Sequence, residues 1–162
     1  MKVIKKPLNY IKACEHIKDY LLKCLKDNLI SAVVFGSYAM LVPSIKSNLD
    51  LLVVVHRVDD TVEKILNELS VNFAFSYGRT LSITVLSAED ILMSVDALDP
   101  IIIGVFWSHD ILFDRNNWFR KQMDSIESKI LAQKINLKMK RGALVWTVED
   151  LKSLRKNTTK QQ

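Results

Sequence analysis

The chain has 162 residues and a mass of 18.6 kDa, with 49% hydrophobic and 25% charged residues, a balance that supports one packed core and excludes general disorder. The longest apolar run, Ile101 to Trp107, is far short of the ~20 residues that cross a bilayer, and MKVIKKPLNY carries no apolar secretory core, so the expectation is a cytoplasmic protein without a membrane segment. The net charge of +5 is uneven: residues 115–162 hold twelve Lys/Arg against four Asp/Glu, and residues 1–114 eleven against fourteen.

Ile11, Cys14, Ile17, Leu21, Leu25 and Leu29 recur at three- and four-residue steps and predict an amphipathic helix from Leu8 to about Leu29. Cys14 and Cys24 on that helix would stand ~15 Å apart along its axis, too far to bridge, and read as free thiols of a reducing compartment. Ser31 to Phe35 is short and β-branched and stops at Gly36, as a buried strand does. Tyr38 to Val42 can make one or two helical turns before Pro43, and Ser44 to Ser47 reads as a loop. Leu49 to Val55 is almost wholly apolar and predicts a strand covered on both faces.

Asp59-Asp60-Thr61 offers helix-start chemistry ahead of Val62, Ile65, Leu66 and Leu69. Val71 to Tyr77 and Thr80 to Leu86 read as two strands joined by a hairpin turn at Gly78-Arg79. Ser87 to Asp90 can cap a short helix running into Val95. Residues 99–107 suit helix or strand, and Ile111 to Phe113 suits a short edge strand. Trp118, Met123, Ile126, Ile130, Ile135 and Leu137 predict a long helix from Asn116 to about Lys140.

The alternation of helices and strands makes a mixed α/β (α+β) arrangement, a mixed sheet flanked by helices. The expected organisation is an α/β domain over residues 1–114, a C-terminal helical extension packed on it over 115–150, and a basic flexible tail over 151–162.

The segment richest in chemistry runs from Val33 to Val55. Phe35-Gly36-Ser37 ends one strand, and Asn48-Leu49-Asp50 opens the next eleven residues after Ser37. Glycine lets a backbone come close to a phosphate, and a serine amide and hydroxyl at a turn can donate to phosphate oxygens. Residues 48 and 50 differ by two on a strand, so both point to one face about 6.6 Å apart, and oxygen ligands so placed suit Mg²⁺. The bland alternative is a turn glycine, a capping serine and an exposed aspartate, although aspartate is poorly suited to a strand.

The same residues resemble the signature of the nucleotidyltransferase superfamily, the fold shared with DNA polymerase beta and its minimal archaeal-type relatives. There a strand ends in Gly-Ser and a second strand carries two acids two positions apart. The resemblance implies a protein that binds a nucleoside triphosphate with Mg²⁺ and transfers a nucleotidyl group to a hydroxyl acceptor. By this resemblance Gly36, Ser37, Ser82 and Thr84 hold the nucleotide, and Asp50 and Asn48 are the catalytic, metal-holding pair.

The chain departs from that pattern in two places. Asn48 replaces the first acid, and Ser82 and Thr84 present hydroxyls on the strand where a third carboxylate is expected, so Asp50 is the one anion of the set. Two Mg²⁺ bring four positive charges and one carboxylate offsets one, which leaves hydroxyl activation short of its second metal. Two readings follow: a transferase, or a catalytically inactive module of the same fold that binds a helical protein partner or RNA through its basic C-terminal segment, in either case with the Ile101 to Trp107 stretch available for a homodimer contact.

Glu89 and Asp90 read as a helix cap rather than substitute acids. His56 lies about 20 Å along the strand from Asp50, and His16 and His109 lack partners at zinc spacing. Phe106, Trp107, Phe113, Trp118 and Phe119 read as core or subunit contact. Arg79 reads as an exposed turn residue within possible reach of a phosphate.

Overall fold

The structure is a computed structural model that describes residues 8–148 apart from Val42 and Ile45. Helix α1 (Tyr10–Leu25) starts where the Asn9 side chain accepts the Lys12 amide and buries Ala13, Ile17, Leu21 and Leu25. Ile11, counted on that face by its spacing, is 72% exposed. Strands β1 (Leu29–Phe35) and β2 (Leu49–Val55) follow, both apolar enough to be covered on either side. Between them, Gly36 to Leu41 is a run of turns, with the Met40 amide donating to the Gly36 carbonyl at 3.0 Å.

Helix α2 (Asp60–Tyr77) begins at Asp59, whose side chain accepts the Val62 amide, and ends at Gly78. The strand expected over Val71 to Tyr77, and with it the hairpin at Gly78-Arg79, is therefore not present. Phe73 continues the buried row of Val62, Leu66 and Leu69, while Val71 and Phe75 are exposed at 54% and 87%. Burial of one face thus overrides the apolar alternation that imitated a strand. Gly78 closes the helix in the left-handed conformation, φ +61°, with open space around a would-be Cβ. Gly78→Ala is expected to cost about 1 kcal/mol through backbone conformation alone, read as a fall of roughly 2–4 °C in Tm.

Strand β3 (Leu81–Ser87) leads directly into helix α3 (Ala88–Ala97), where Ser87 and Asp90 form a reciprocal capping box. Helix α4 (Pro100–Trp107), whose first turn is capped by Asp99, settles the ambiguous stretch as helix. Strand β4 (His109–Asp114) and helix α5 (Trp118–Ala132) complete the order. The sheet order is β3-β2-β1-β4, with β2–β3 parallel and β1 antiparallel to both β2 and β4. Alternate residues Leu49, Leu51, Val53 and Val55 of β2 pack with α1 and α2 residues in one buried cluster. The expected α/β class, a mixed sheet flanked by helices, is the observed one. No helix among the described residues is long and apolar enough to cross a membrane.

The chain divides into two compact units, Met1–Gln122 and Met123–Gln162. In the second, the helix expected to reach Lys140 stops at Ala132, and β5 (Ile135–Lys140) pairs antiparallel with β6 (Ala143–Val148). Arg141 and Gly142, both at positive φ, make the turn. Ile135-Asn-Leu-Lys-Met-Lys140 alternates with period two, the strand period. The basic tail expected over 151–162 lies outside the described residues.

Candidate functional site

β1 leaves the sheet at Phe35 just where β2 enters it, because the two are antiparallel with Phe35 opposite Asp50. The next residue, Gly36, sits at φ +71°, in the left-handed region open to glycine at no steric cost. A Cβ at that position would meet the Asp50 carboxylate at 2.5 Å. The glycine thus both turns the chain and makes room for the acid beside it.

On its other side Asp50 is paired in register with Ser82 of β3, which sets the Ser82 hydroxyl on the carboxylate's side of the strand pair. Burial pushes the Asp50 carboxyl above the ordinary aspartate range, and the neighbouring Ser82 hydroxyl pulls partly against that. The candidate site therefore brings together Gly36, Asp50 and Ser82. Thr84 lies one two-residue step further along β3, opposite Leu52 and half-buried. Ser37 is half-buried in the turn directly after Gly36.

Asn48 lies elsewhere in detail. It precedes β2, and the side of the chain it lines is a cleft of about 180 Å³ with Lys46, Ser47, Gly78, Arg79 and Thr80. Arg79, expected as an exposed turn residue, is only 7% exposed. It follows Gly78, which ends a helix and not the first strand of a hairpin.

The turn after Gly36 is braced from α1. Tyr38, one residue beyond Ser37, is buried and stacks on Tyr10, ring centroids 5.8 Å apart and 14° from parallel. The Tyr10 hydroxyl donates to Asp110 of β4 at 2.6 Å. Burial, then this hydrogen bond, raises the phenol far beyond its usual range. Cys14 beside it is pushed up to about 11, chiefly by burial, so its thiol stays protonated at neutral pH. Sequence reading missed this brace, because its members are spread over α1, the turn and β4, and no local spacing connects them.

The donor set does not provide for two metal ions. Among the described residues no group of three or more His, Cys, Asp or Glu side chains is placed to hold a cation. Asp90 is engaged by Ser87, accepting its amide at 3.0 Å and its hydroxyl at 2.7 Å. Its carboxyl is held below the usual range by those bonds, so it is a cap and not a substitute acid. One carboxylate with neighbouring hydroxyls fits a single cation carried in by an anionic ligand.

No protein-family model matches the chain. It is 29% identical over 119 residues to a putative protein adenylyltransferase of Methanocaldococcus jannaschii, an alignment that covers 68% of this chain and 78% of that protein. The chain is nucleotidyltransferase-like. Among solved structures, this nucleotidyltransferase-like chain is similar to one from a mutant toxin–antitoxin MntA–HpeT complex (TM-score 0.47, 12% identity, 75% of this chain and 92% of that one). It is likewise similar to a chain of the tri-AMPylated Shewanella oneidensis HEPN toxin in complex with MNT antitoxin (TM-score 0.47, 13% identity, 76% and 89%).

Proposed function

We propose that the chain binds a nucleoside triphosphate, ATP in the first instance, at the Gly36-Ser37 turn and transfers its nucleotidyl group to a hydroxyl on a protein acceptor. The observation that carries this reading is the Asp50 carboxylate held against left-handed Gly36 at the rim of the sheet. The similarity to a putative protein adenylyltransferase supports both the nucleotide and the class of acceptor.

Gly36 leaves the backbone open to a phosphate, and the Ser37 amide and hydroxyl are donors at the turn. Asp50, with Ser82 beside it, is the residue that would hold a divalent cation, whose charge would lessen repulsion between the triphosphate and an incoming oxygen. The acceptor oxygen attacks the α-phosphorus, the bond to the bridging oxygen of the β-phosphate breaks, pyrophosphate leaves, and the hydroxyl proton passes to solvent. A non-catalytic module has no need of a carboxylate kept partly from water at a glycine bend, and that alternative is not favoured.

The test is to incubate the full chain with Mg²⁺, a protein mixture and ATP labelled at either the α- or the γ-phosphate. Protein-bound label is expected from α-labelled ATP alone, with pyrophosphate released and transfer lost on Asp50→Asn. No calorimetric binding of Mg-ATP together with no label transfer would overturn the proposal.

A further inference from the structure

The row of the sheet that carries Asp50 continues past β1 into β4. Ser82, Asp50, Phe35 and His109 are register partners across β3, β2, β1 and β4, and partners in register project to one face of a sheet. His109 therefore shares a face with Asp50, two strands and about 9.6 Å away at ~4.8 Å per strand. Asp110, next in the chain, projects to the opposite face, where it accepts from Tyr10 of α1.

This row is the open one. None of its four residues is buried, whereas Leu52 and Val33, next along the same face of β2 and β1, are fully covered. Gly36 and Ser37 leave the sheet from the middle of the row, directly after Phe35. A phosphate seated on that turn would have the Asp50 strand on one side and the His109 strand on the other, each one strand spacing away.

His109 is held as a proton acceptor. Its Nδ1 lies 2.8 Å from the Val105 carbonyl of α4, and a carbonyl only accepts, so Nδ1 carries the hydrogen. In the neutral ring that leaves the lone pair on Nε2, which has no hydrogen-bond partner among the described residues and is not enclosed. Phe119 of α5 meets the ring edge to face, centroids 5.6 Å apart and planes at 80°, and fixes its plane.

No carboxylate takes up this imidazole. Half-buried Phe35 stands between it and Asp50, and α4 carries no charged side chain. Asp114, at the far end of β4, accepts from the Ser31 hydroxyl and from the Phe119 and Arg120 amides. Ser82 and Thr84 stand where a third carboxylate is expected, and a hydroxyl is no base at neutral pH. The row offers a base two strands further on.

We propose that His109 is the general base of nucleotidyl transfer. Nε2 takes the proton of the acceptor hydroxyl as its oxygen bonds to the α-phosphorus. The bond to the bridging β-phosphate oxygen breaks, its electron pair leaves on pyrophosphate, and the imidazolium then gives the proton to solvent. The proposal rests on the nucleotide reading above and deepens it by placing the acceptor on the β4 side of the phosphates, across from Asp50.

The experiment follows transfer from α-labelled Mg-ATP to a protein mixture for the natural full chain, His109→Gln and His109→Ala, with circular dichroism and Mg-ATP calorimetry on each. Both variants are expected to keep the fold and the Mg-ATP affinity while the transfer rate falls roughly 10²- to 10⁴-fold. Imidazole added to His109→Ala should restore part of the rate, and among substituted imidazoles of similar size the restored rate should rise with basicity. A ring needed only for packing would show no such dependence.

Transfer at the natural rate in either variant overturns the base and leaves the nucleotide reading standing. So does a loss in folded His109→Ala that imidazole does not restore, or one matched by lost Mg-ATP binding. Should His109→Ala not fold, His109→Gln decides: slow transfer with unchanged Mg-ATP affinity upholds the base, and weakened binding overturns it. A natural protein that binds Mg-ATP but transfers no label overturns the base and leaves a nucleotide site; one that neither binds nor transfers overturns both readings.

Discussion

Gly36→Ala is expected to abolish nucleotide binding and to lower Tm by roughly 4–8 °C, about twice the effect of Gly78→Ala. The two glycines form an internal comparison. Both stand at positive φ, +71° and +61°, so both substitutions carry the ~1–2 kcal/mol of a left-handed L-residue. At Gly78 a new Cβ meets nothing, whereas at Gly36 it meets the Asp50 carboxylate at 2.5 Å. The excess at Gly36 therefore measures the close approach of backbone and acid. Relief requires Asp50 to swing away, which moves it from its place beside Ser82 and displaces the carboxylate of the candidate site. Thermal melts and Mg-ATP calorimetry on both variants check this, and equal melting losses with nucleotide binding intact in both would remove Gly36 from the site.

Asp50→Asn should separate stability from activity. Burial holds the Asp50 carboxyl above the range it has in the unfolded chain. As pH rises through the ordinary aspartate range the unfolded chain loses this proton first, so the folded form binds more protons and stability falls with pH. That loss is complete once pH passes the raised folded value. An asparagine is neutral throughout and has nearly the same shape. The variant is therefore expected to melt at or above the temperature of the natural protein at neutral pH, with the gap closing towards about pH 4. Nucleotidyl transfer should fall by roughly 10²- to 10³-fold, the scale of losing an electrostatic anchor in a phosphoryl site. A variant that melts lower at neutral pH than the natural protein would contradict the desolvated carboxylate; one that retains transfer would remove Asp50 from the chemistry.

Much of the framework was legible because its signals are local. The β-branched run ending at Gly36, the apolar run with one aspartate, and the Ser87–Asp90 cap each state their structure within a few residues, and backbone sterics and capping hydrogen bonds act over that range. Two stretches were misread where the local pattern had two meanings. Val71 to Tyr77 sets large apolar residues at every second position, yet Phe73 falls on the row of Val62, Leu66 and Leu69, and their common burial makes it helix. Ile135 and Leu137 extend the spacing of the preceding helix, yet they alternate outward with Asn136 and Lys138 in a hairpin. In both cases the choice belongs to the partner surface, which propensity does not contain.

The amino-acid order alone determined that a glycine–serine bend and an aspartate-bearing strand occur eleven residues apart, and that two expected acids are absent. Only the tertiary structure decided which residues stand beside those that remain. Arg79 comes from the far end of α2 and is brought beside Asn48 by the parallel pairing of β2 and β3, and Tyr10 reaches the turn from α1 by stacking on Tyr38. Charge and ring contacts act through space between residues 28 to 31 positions apart in the chain, and no spacing along the sequence records them.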